Sequence, residues 1–204
     1  MKKISFIAMI AVMIFTAGSV FAQCKVKSGD LKVLKGQSVV KMQFDYSEMR
    51  MGKKKTEADY IKERTEEMNK KKPGSGDDFL QKWNGDKTAR FQPTFVKNFN
   101  GETEGKGLVG KEDANDAKYT LNVHTTYMEP GYNVGVSRMN AYIAVVITLY
   151  ETSNPGKVLA TMEMKNEQSI NMMGYDYDKG ARIQSAYDRA GEHLGKCIVK
   201  YGLK

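Results

Sequence analysis

The chain has 204 residues, of which 41% are hydrophobic and 27% are charged, and its 32 Lys and Arg residues exceed its 24 Asp and Glu residues. This composition is typical of a globular protein and excludes a wholly disordered, collagen-like or multi-span membrane chain. A chain of this length can bury a substantial hydrophobic core.

Residues 1–22 have the layout of a secretory signal peptide. Lys2 and Lys3 precede an apolar run over residues 4–15, and Ala22 ends a short stretch that suits signal-peptide cleavage. We therefore expect cleavage after Ala22 and a mature chain of residues 23–204 that is exported, either periplasmic or secreted. A transmembrane anchor is disfavoured because the apolar run is shorter than the roughly 20 residues that span a bilayer.

Cys24 and Cys197 are the only cysteines in the sequence. Exported proteins with two cysteines more often join them than leave them free, so a disulfide between Cys24 and Cys197 is predicted. Two alternatives stay open: a buried free Cys197 with a loose Cys24, or a lipid-anchored Cys24. The anchor is less favoured because bacterial lipoprotein signals place a small residue before the modified cysteine, and this chain has Gln23 there.

The first half of the chain predicts one strand and several helices. Residues 37–46 alternate apolar and polar side chains, which predicts a half-buried strand. Residues 53–72 predict a peripheral helix with a narrow apolar stripe, capped at its start by Thr56. Two shorter helices are expected downstream: residues 77–83, ended by Asn84-Gly85, and residues 93–100.

The basic excess is concentrated in residues 25–72, which contain 14 Lys and Arg residues and 8 Asp and Glu residues. A peripheral basic helical segment at about 50–76 carries two lysine triplets. Lysine clusters attract anionic surfaces without the bidentate geometry that arginine offers to nucleic acid. The expected anionic partners of an exported chain are lipid head groups, cell-wall polymers or acidic glycans, and no nucleic acid is expected. The alternative is a solvated face that has no partner.

The second half predicts a three-strand antiparallel meander and a closing helix. Residues 118–128 and 139–151 alternate as strands do. Residues 154–157, Asn-Pro-Gly-Lys, match a type II turn, so residues 158–167 are expected to return as the third strand. Residues 178–201 carry the apolar stripe of an amphipathic helix that Asp178 caps. The predicted fold class is therefore α+β, with one sheet and helices packed mainly on one face.

Two tyrosine-bearing loops are predicted at the same end of the meander. Residues 129–138 leave the first strand and residues 168–178 leave the third, and alternate connections of a meander lie at one end of the sheet. Loops held on a rigid sheet often carry binding side chains. The predicted ligand-binding residues are Tyr132, Arg138, Met172, Met173, Tyr175, Asp176 and Tyr177. The alternative is that these loops pack on each other and bind nothing.

No catalytic residue, metal site or cofactor is predicted. His193 and Cys197 could offer two metal ligands, but a zinc site needs at least three from the protein. Residues 105–110 match the letters of G-x-G-x-x-G. Because a polar loop precedes them where a dinucleotide site requires a strand, a short edge strand is expected there instead.

Three stretches resemble bacterial envelope-assembly proteins: Ala117-Lys-Tyr-Thr-Leu-Asn-Val123, the turn Asn154-Pro-Gly-Lys157, and Arg189-Ala-Gly191 in the last helix. Their order over residues 37–201 is similar to the α/β domains of the amino-terminal part of TolB and of curli-assembly-type lipoproteins. It also fits an uncharacterised exported protein of the Bacteroidetes type. The resemblance implies binding during envelope assembly and not catalysis. The missing lipobox and the basic segment at 50–76 depart from the pattern.

The sequence therefore predicts a non-enzymatic exported binding or assembly module of the bacterial cell envelope. Its partner would be an envelope protein, a glycan or an anionic surface. Two alternatives stay open: a hydrolase acting on cell-wall or glycan material, and a structural adhesin subunit. A deep pocket lined by two carboxylates would favour the hydrolase.

Overall fold

A computed structural model of the chain describes residues 24–53, 55–170 and 178–204 and shows a mixed sheet with helices on one face. The described strands and α-helices, in chain order, are β1 (Lys25–Gly29), β2 (Val39–Asp45), β3 (Arg50–Met51), β4 (Lys55–Thr56), α1 (Glu57–Lys71), α2 (Ser75–Asp86), α3 (Gln92–Thr103), β5 (Val109–Lys111), β6 (Tyr119–Glu129), β7 (Tyr132–Asn133), β8 (Arg138–Met139), β9 (Tyr142–Glu151), β10 (Asn154–Gln168) and α4 (Lys179–Ile198). The predicted α+β class is confirmed.

The main sheet runs in the order β1-β10-β9-β6-β2-β5. β6, β9 and β10 are antiparallel neighbours, as expected for the meander, whereas β2 lies parallel to both β6 and β5. β1 extends the meander on one side, and β2 and β5 extend it on the other. The predicted meander is thus one part of a larger mixed sheet, and the short hairpin of β7 and β8 interrupts the connection between β6 and β9.

One face of the sheet carries the core, because alternate side chains of each strand point to the same side. α3 and α4 pack on this face, while Ala144, Val146 and Thr148 on the opposite face of β9 stay half-exposed. The largest core contributors from the sheet and these helices are Leu121, Val123, Ile143, Val145, Ile147, Leu149, Met162, Phe95, Phe99, Tyr187 and Leu194.

The helix that begins at Ser75 does not end at Asn84-Gly85, so that sequence prediction is wrong. α2 passes through both residues and continues by a π-helical turn over Lys87–Phe91 into α3. Phe91 is buried in this turn, and its ring stacks on Tyr187 of α4 with centroids 5.1 Å apart. This packing outweighs the helix preference lost at one glycine, about 1 kcal/mol.

The β9–β10 hairpin reverses at Thr152-Ser153, before the predicted turn at residues 155–156. β10 begins at Asn154, which pairs with the last residue of β9. The Thr152 hydroxyl forms a hydrogen bond of 2.9 Å with the Thr120 hydroxyl of β6. This contact with a third strand stabilises the reversal at that position, and local turn preference alone does not reveal it.

α4 is the predicted amphipathic helix and begins directly after Asp178, whose carboxylate accepts the Gly180 N–H. Cys197 lies near its end and forms the predicted disulfide with Cys24, with the Cα atoms 6.1 Å apart. This separation lies within the usual range for disulfides. The bridge ties the start of β1 to α4.

α4 meets α3 at close range, and glycines make the approach possible. A Cβ atom built on Gly191 would lie 2.2 Å from the carbonyl oxygen of Phe95. One turn later, a Cβ atom on Gly195 would lie 2.7 Å from Cβ of Glu102. The two helices therefore cross where α4 presents backbone without side chains, at a contact called here the α3–α4 crossing.

Candidate functional site

Two chain connections leave the sheet at one end, called here the loop end. The last residue of β6, Glu129, and the last residue of β10, Gln168, both pair with Tyr142 at the start of β9. The connections that follow β6 and β10 therefore start side by side, as the antiparallel pattern predicts. The turn at Thr152-Ser153 lies at the opposite end.

The hairpin of β7 and β8 projects at the loop end and exposes apolar side chains. Val136 is fully exposed and Val134 is 65% exposed, and Tyr132 and Met139 are also exposed. Tyr132 pairs with Met139 across the hairpin, and its hydroxyl lies 3.2 Å from the hydroxyl oxygen of Ser137. Isolated apolar side chains are common on surfaces, but four on one eight-residue hairpin form a patch.

The structure places two of the predicted ligand-binding residues on this hairpin. Tyr132 lies on β7 and Arg138 on β8, and both side chains are exposed. The other five lie outside the described residues: Met172, Met173, Tyr175, Asp176 and Tyr177. A shared site formed by the two loops therefore stays a prediction.

α4 holds the base of the hairpin in place. The buried Arg182 guanidinium donates to the carbonyl oxygens of Pro130 and Gly131, each at 3.3 Å. Gly131 has a φ of +62°, and a Cβ atom there would lie 2.3 Å from the Met139 carbonyl oxygen. The hairpin is thus anchored at its base while its tip is exposed.

A basic turn between β3 and β4 lies at the same end. The Gly52 N–H donates to the Met128 carbonyl oxygen at 3.1 Å, and the Tyr127 hydroxyl donates to the Gly52 carbonyl oxygen at 3.0 Å. These bonds hold the turn against the end of β6. Lys53, the next residue, is exposed, so a lysine side chain stands at the end of the sheet from which the hairpin projects.

The basic segment that follows this turn is less positive than its lysine triplets suggest. Within and around α1, about half of the charged side chains form ion pairs, which offsets part of the positive charge of the segment. The ion pairs are Lys55–Glu63, Arg64–Glu67, Lys71–Glu67 and Lys87–Glu57. Arg64 and Lys71 both hydrogen-bond Glu67 and lower the pKa of that carboxyl to about 2.

A groove of about 570 Å³ lies between α1, α2 and the first turn of α4, and is called here the helical groove. Met68, Phe79 and Trp83 give it an apolar wall. Phe79 and Trp83 belong to an aromatic cluster with Tyr60, whose ring centroid lies 5.4 Å from that of Trp83. The Trp83 indole N–H donates to Glu57 at 2.7 Å, so the polar edge of that buried ring is satisfied.

Three carboxylates line the helical groove, and two of them, Asp86 and Asp178, pair with the same guanidinium. Arg90 lies 3.3 Å from Asp86 and 3.0 Å from Asp178. Burial raises the pKa of Asp86. Burial also acts to raise the pKa of Asp178, but the hydrogen bond and charge of Arg90 lower it overall. The carboxylate pair that would favour a hydrolase is therefore present but engaged by Arg90.

Sequence reasoning missed the helical groove because its walls come from three separate segments. One local signal was available. Lys179 occupies the first position of α4, where the helix dipole disfavours a cation.

The two histidines have protein partners. His124 Nε2 lies 2.9 Å from the Ser47 carbonyl oxygen, and His193 Nδ1 lies 2.7 Å from the Glu167 carboxylate. Within residues 24–53, 55–170 and 178–204, no three His, Cys, Asp or Glu side chains are grouped so that they could hold a metal ion.

In the described part of the chain, no helix combines the length and the apolar character that crossing a membrane requires.

Comparison with known proteins gives distant likenesses only. No protein-family model matches the chain, and no curated protein is significantly similar to it. Among solved structures, it is similar to a point variant of the PelC dodecamer from Paraburkholderia phytofirmans, at 13% identity and a TM-score of 0.36, covering 84% of this chain and 97% of that one. A second PelC dodecamer structure from the same organism gives 14% identity and a TM-score of 0.35, covering 84% and 96%. Likenesses at this level carry no argument about function.

Proposed function

We propose that this protein is a non-enzymatic exported binding module of the bacterial cell envelope, and that it docks on an anionic lipid surface through the hairpin of β7 and β8. The observation that carries the proposal is the fully exposed Val136 at the tip of an anchored apolar hairpin, with Lys53 at the same end of the sheet. Export is supported by the signal-peptide layout of residues 1–22 and by the Cys24–Cys197 disulfide.

The hairpin has the combination of groups that suits a membrane interface. Valine side chains at its tip gain from entering the acyl region, by about 1.5–3 kcal/mol for each one fully buried. Arg138 on the hairpin and Lys53 on the neighbouring turn are exposed and attract anionic head groups. Arg182 anchors the base of the hairpin, so less conformational entropy is lost on docking than for a free loop.

The geometry of the helical groove supports binding over hydrolysis. A glycoside hydrolase needs one carboxyl group that donates a proton and a second that acts as nucleophile or base. Asp86 forms an ion pair with Arg90, and Asp178 accepts a hydrogen bond from Arg90 and also caps α4. Asp86 and Asp178 therefore already have structural roles, and the third carboxylate of the groove, Asp78, has no second free carboxylate among the described groove residues to act with it.

The test is co-sedimentation of the mature chain, residues 23–204 with the disulfide intact, with lipid vesicles. We expect binding to vesicles that contain phosphatidylglycerol, weaker binding to phosphatidylcholine alone, and weakening by added salt because exposed charges are screened. Val136→Asp should lower the affinity about tenfold or more, since it removes apolar burial and adds a negative charge.

Val158→Asp is the matched control, because Val158 is 51% exposed and lies in β10 at the opposite end of the sheet. Equal affinities of the wild type and Val136→Asp would refute docking through the hairpin. Absence of binding to either kind of vesicle would refute the lipid surface as the partner and favour an envelope protein or glycan.

A further inference from the structure

The helical groove contains an ammonium group, that of Lys179, which forms no ion pair with a described carboxylate. Lys179 reaches into the groove from the start of α4, and its ammonium lies 5.8 Å from the ring centroid of Phe79. Within the part of the chain that the structure describes, no carboxylate lies at ion-pair distance from Lys179. The nearby Asp86 and Asp178 are held by Arg90 instead.

Several neighbours disfavour the positive charge of Lys179. Burial, together with the charges of Arg64, Arg182 and Lys71, lowers the pKa of Lys179 from 10.5 to about 8, and the carboxylate of Glu67 offsets only part of this. The N-terminal end of α4 contributes a partial positive charge at the same place. An anion that enters the groove would relieve all three effects, because it would pair with the ammonium and offset the other positive charges.

The shape of the groove restricts the kind of anion that fits. Its volume of about 570 Å³ lies in the range of small-molecule sites, roughly 300–1,000 Å³. Phe79 is half-exposed on its wall and the Lys179 ammonium lies over its ring, so a ligand that draws the ammonium to its own carboxylate uncovers an apolar ring face. Ser75, Asp78 and Lys82 supply polar groups around it. A bare inorganic anion would use the charge of Lys179 and leave the aromatic wall without a contact.

We infer that the helical groove binds a carboxylate-bearing sugar, with Lys179 as the partner of the carboxylate and Phe79 as the surface on which the sugar ring stacks. A pyranose ring presents C–H groups on one face and hydroxyl groups at its edge. These match an aromatic wall with polar groups beside it. The site is separate from the hairpin of β7 and β8, so each proposal can fail while the other holds.

The direct test is isothermal titration of the mature, oxidised chain with digalacturonate, with neutral cellobiose and inorganic phosphate as comparison probes. Digalacturonate should bind at least about tenfold more tightly than either, because only it offers both a carboxylate and a sugar ring. Lys179→Gln should lower the affinity for digalacturonate by about the same factor. Lys165→Gln is the matched control, because the Lys165 side chain is exposed on β10. This variant should bind digalacturonate with the affinity of the wild type.

The pH dependence separates Lys179 from all lysines of ordinary pKa. Digalacturonate affinity of the wild type should fall as the pH rises above about 8, because the neutral amine no longer pairs with the carboxylate. Lys179→Arg keeps its charge throughout this range and should retain affinity. The inference is overturned if Lys179→Gln binds like the wild type, if phosphate or cellobiose binds as tightly as digalacturonate, or if the wild type and Lys179→Arg share one pH profile. The Val136→Asp variant should bind digalacturonate normally.

Discussion

Gly191→Ala would place a methyl group into the α3–α4 crossing, where the structure leaves no room for one. The new Cβ atom would lie 2.2 Å from the Phe95 carbonyl oxygen, whereas ordinary contacts begin at 3.4 Å. The obstacle is backbone, which cannot rotate aside as a flexible side chain does. The two helices must therefore separate by about 1 Å to accept the methyl group.

The expected change in stability combines two opposing effects. Overpacking of a core contact typically costs about 1–3 kcal/mol, and a clash with backbone belongs at the upper end. Alanine is favoured over glycine in a helix by about 1 kcal/mol. We therefore expect Gly191→Ala to lower the free energy of unfolding by about 2 kcal/mol.

Gly101→Ala provides the matched control. Gly101 lies in α3, is exposed, and has no neighbouring atom within 4 Å of a Cβ built on it. This variant should gain up to about 1 kcal/mol from helix preference alone. The comparison therefore isolates the cost of the clash.

The assay is urea unfolding of the oxidised protein, followed by far-ultraviolet circular dichroism. With a typical slope of about 1–3 kcal/mol per molar urea, a loss of 2 kcal/mol moves the midpoint by about 1 M. Equal midpoints for Gly191→Ala and Gly101→Ala would refute the close crossing.

Three further predictions concern the disulfide, a buried hydroxyl pair and the groove lysine. Replacing Cys24 and Cys197 together by alanine should lower the free energy of unfolding by about 2–5 kcal/mol, up to the loop-closure limit for a separation of 173 residues; an unchanged urea midpoint would contradict it. Thr125→Val should cost about 1–3 kcal/mol, because its hydroxyl forms a hydrogen bond of 2.7 Å with the fully buried Tyr187 hydroxyl. Adding Tyr187→Phe should cost less in that variant than in the wild type, and strictly additive losses would argue against the pairing. Lys179→Met should raise the free energy of unfolding at pH 7. Lys179 binds its proton more tightly in the unfolded chain than in the folded one, so the free energy of unfolding of the wild type rises between about pH 8 and 10.5. The difference in stability between Lys179→Met and the wild type should therefore shrink over this pH range. A difference that does not change with pH would count against the burial of this amine.

Patterns confined to one segment predicted structure well. The apolar stripe of α4 needs only the spacing of Ile183, Tyr187 and Leu194, and all three are buried. The alternation in β6 and β9 likewise marked both strands, because the side-chain period of a strand is a local property. The disulfide followed from the count of cysteines and the expected compartment.

Features that depend on a distant segment could not be predicted in this way. The continuation of α2 through Asn84-Gly85 is supported by Phe91, which stacks against α4. The turn at Thr152-Ser153 is supported by a hydroxyl group of β6. The tight crossing at Gly191 and Gly195 was visible as two glycines one helical turn apart, but their partner on α3 was not. The helical groove has the same origin, since its wall and its cation come from separate helices.

The disulfide between the start of β1 and α4 also limits when the bond can form during synthesis and folding. Its two sulfur atoms come from residues 173 positions apart, so the bond cannot be made until nearly the whole described length is available. Cys197 is 4% exposed in the finished structure and is out of reach of an external oxidant. Cys24 is half-buried, so an oxidant can form a mixed disulfide with Cys24 first, and Cys197 then completes the bond by attacking it. A chain that carries this bond has therefore brought the start of β1 and the end of α4 together, and the bond serves as a chemical record of that contact.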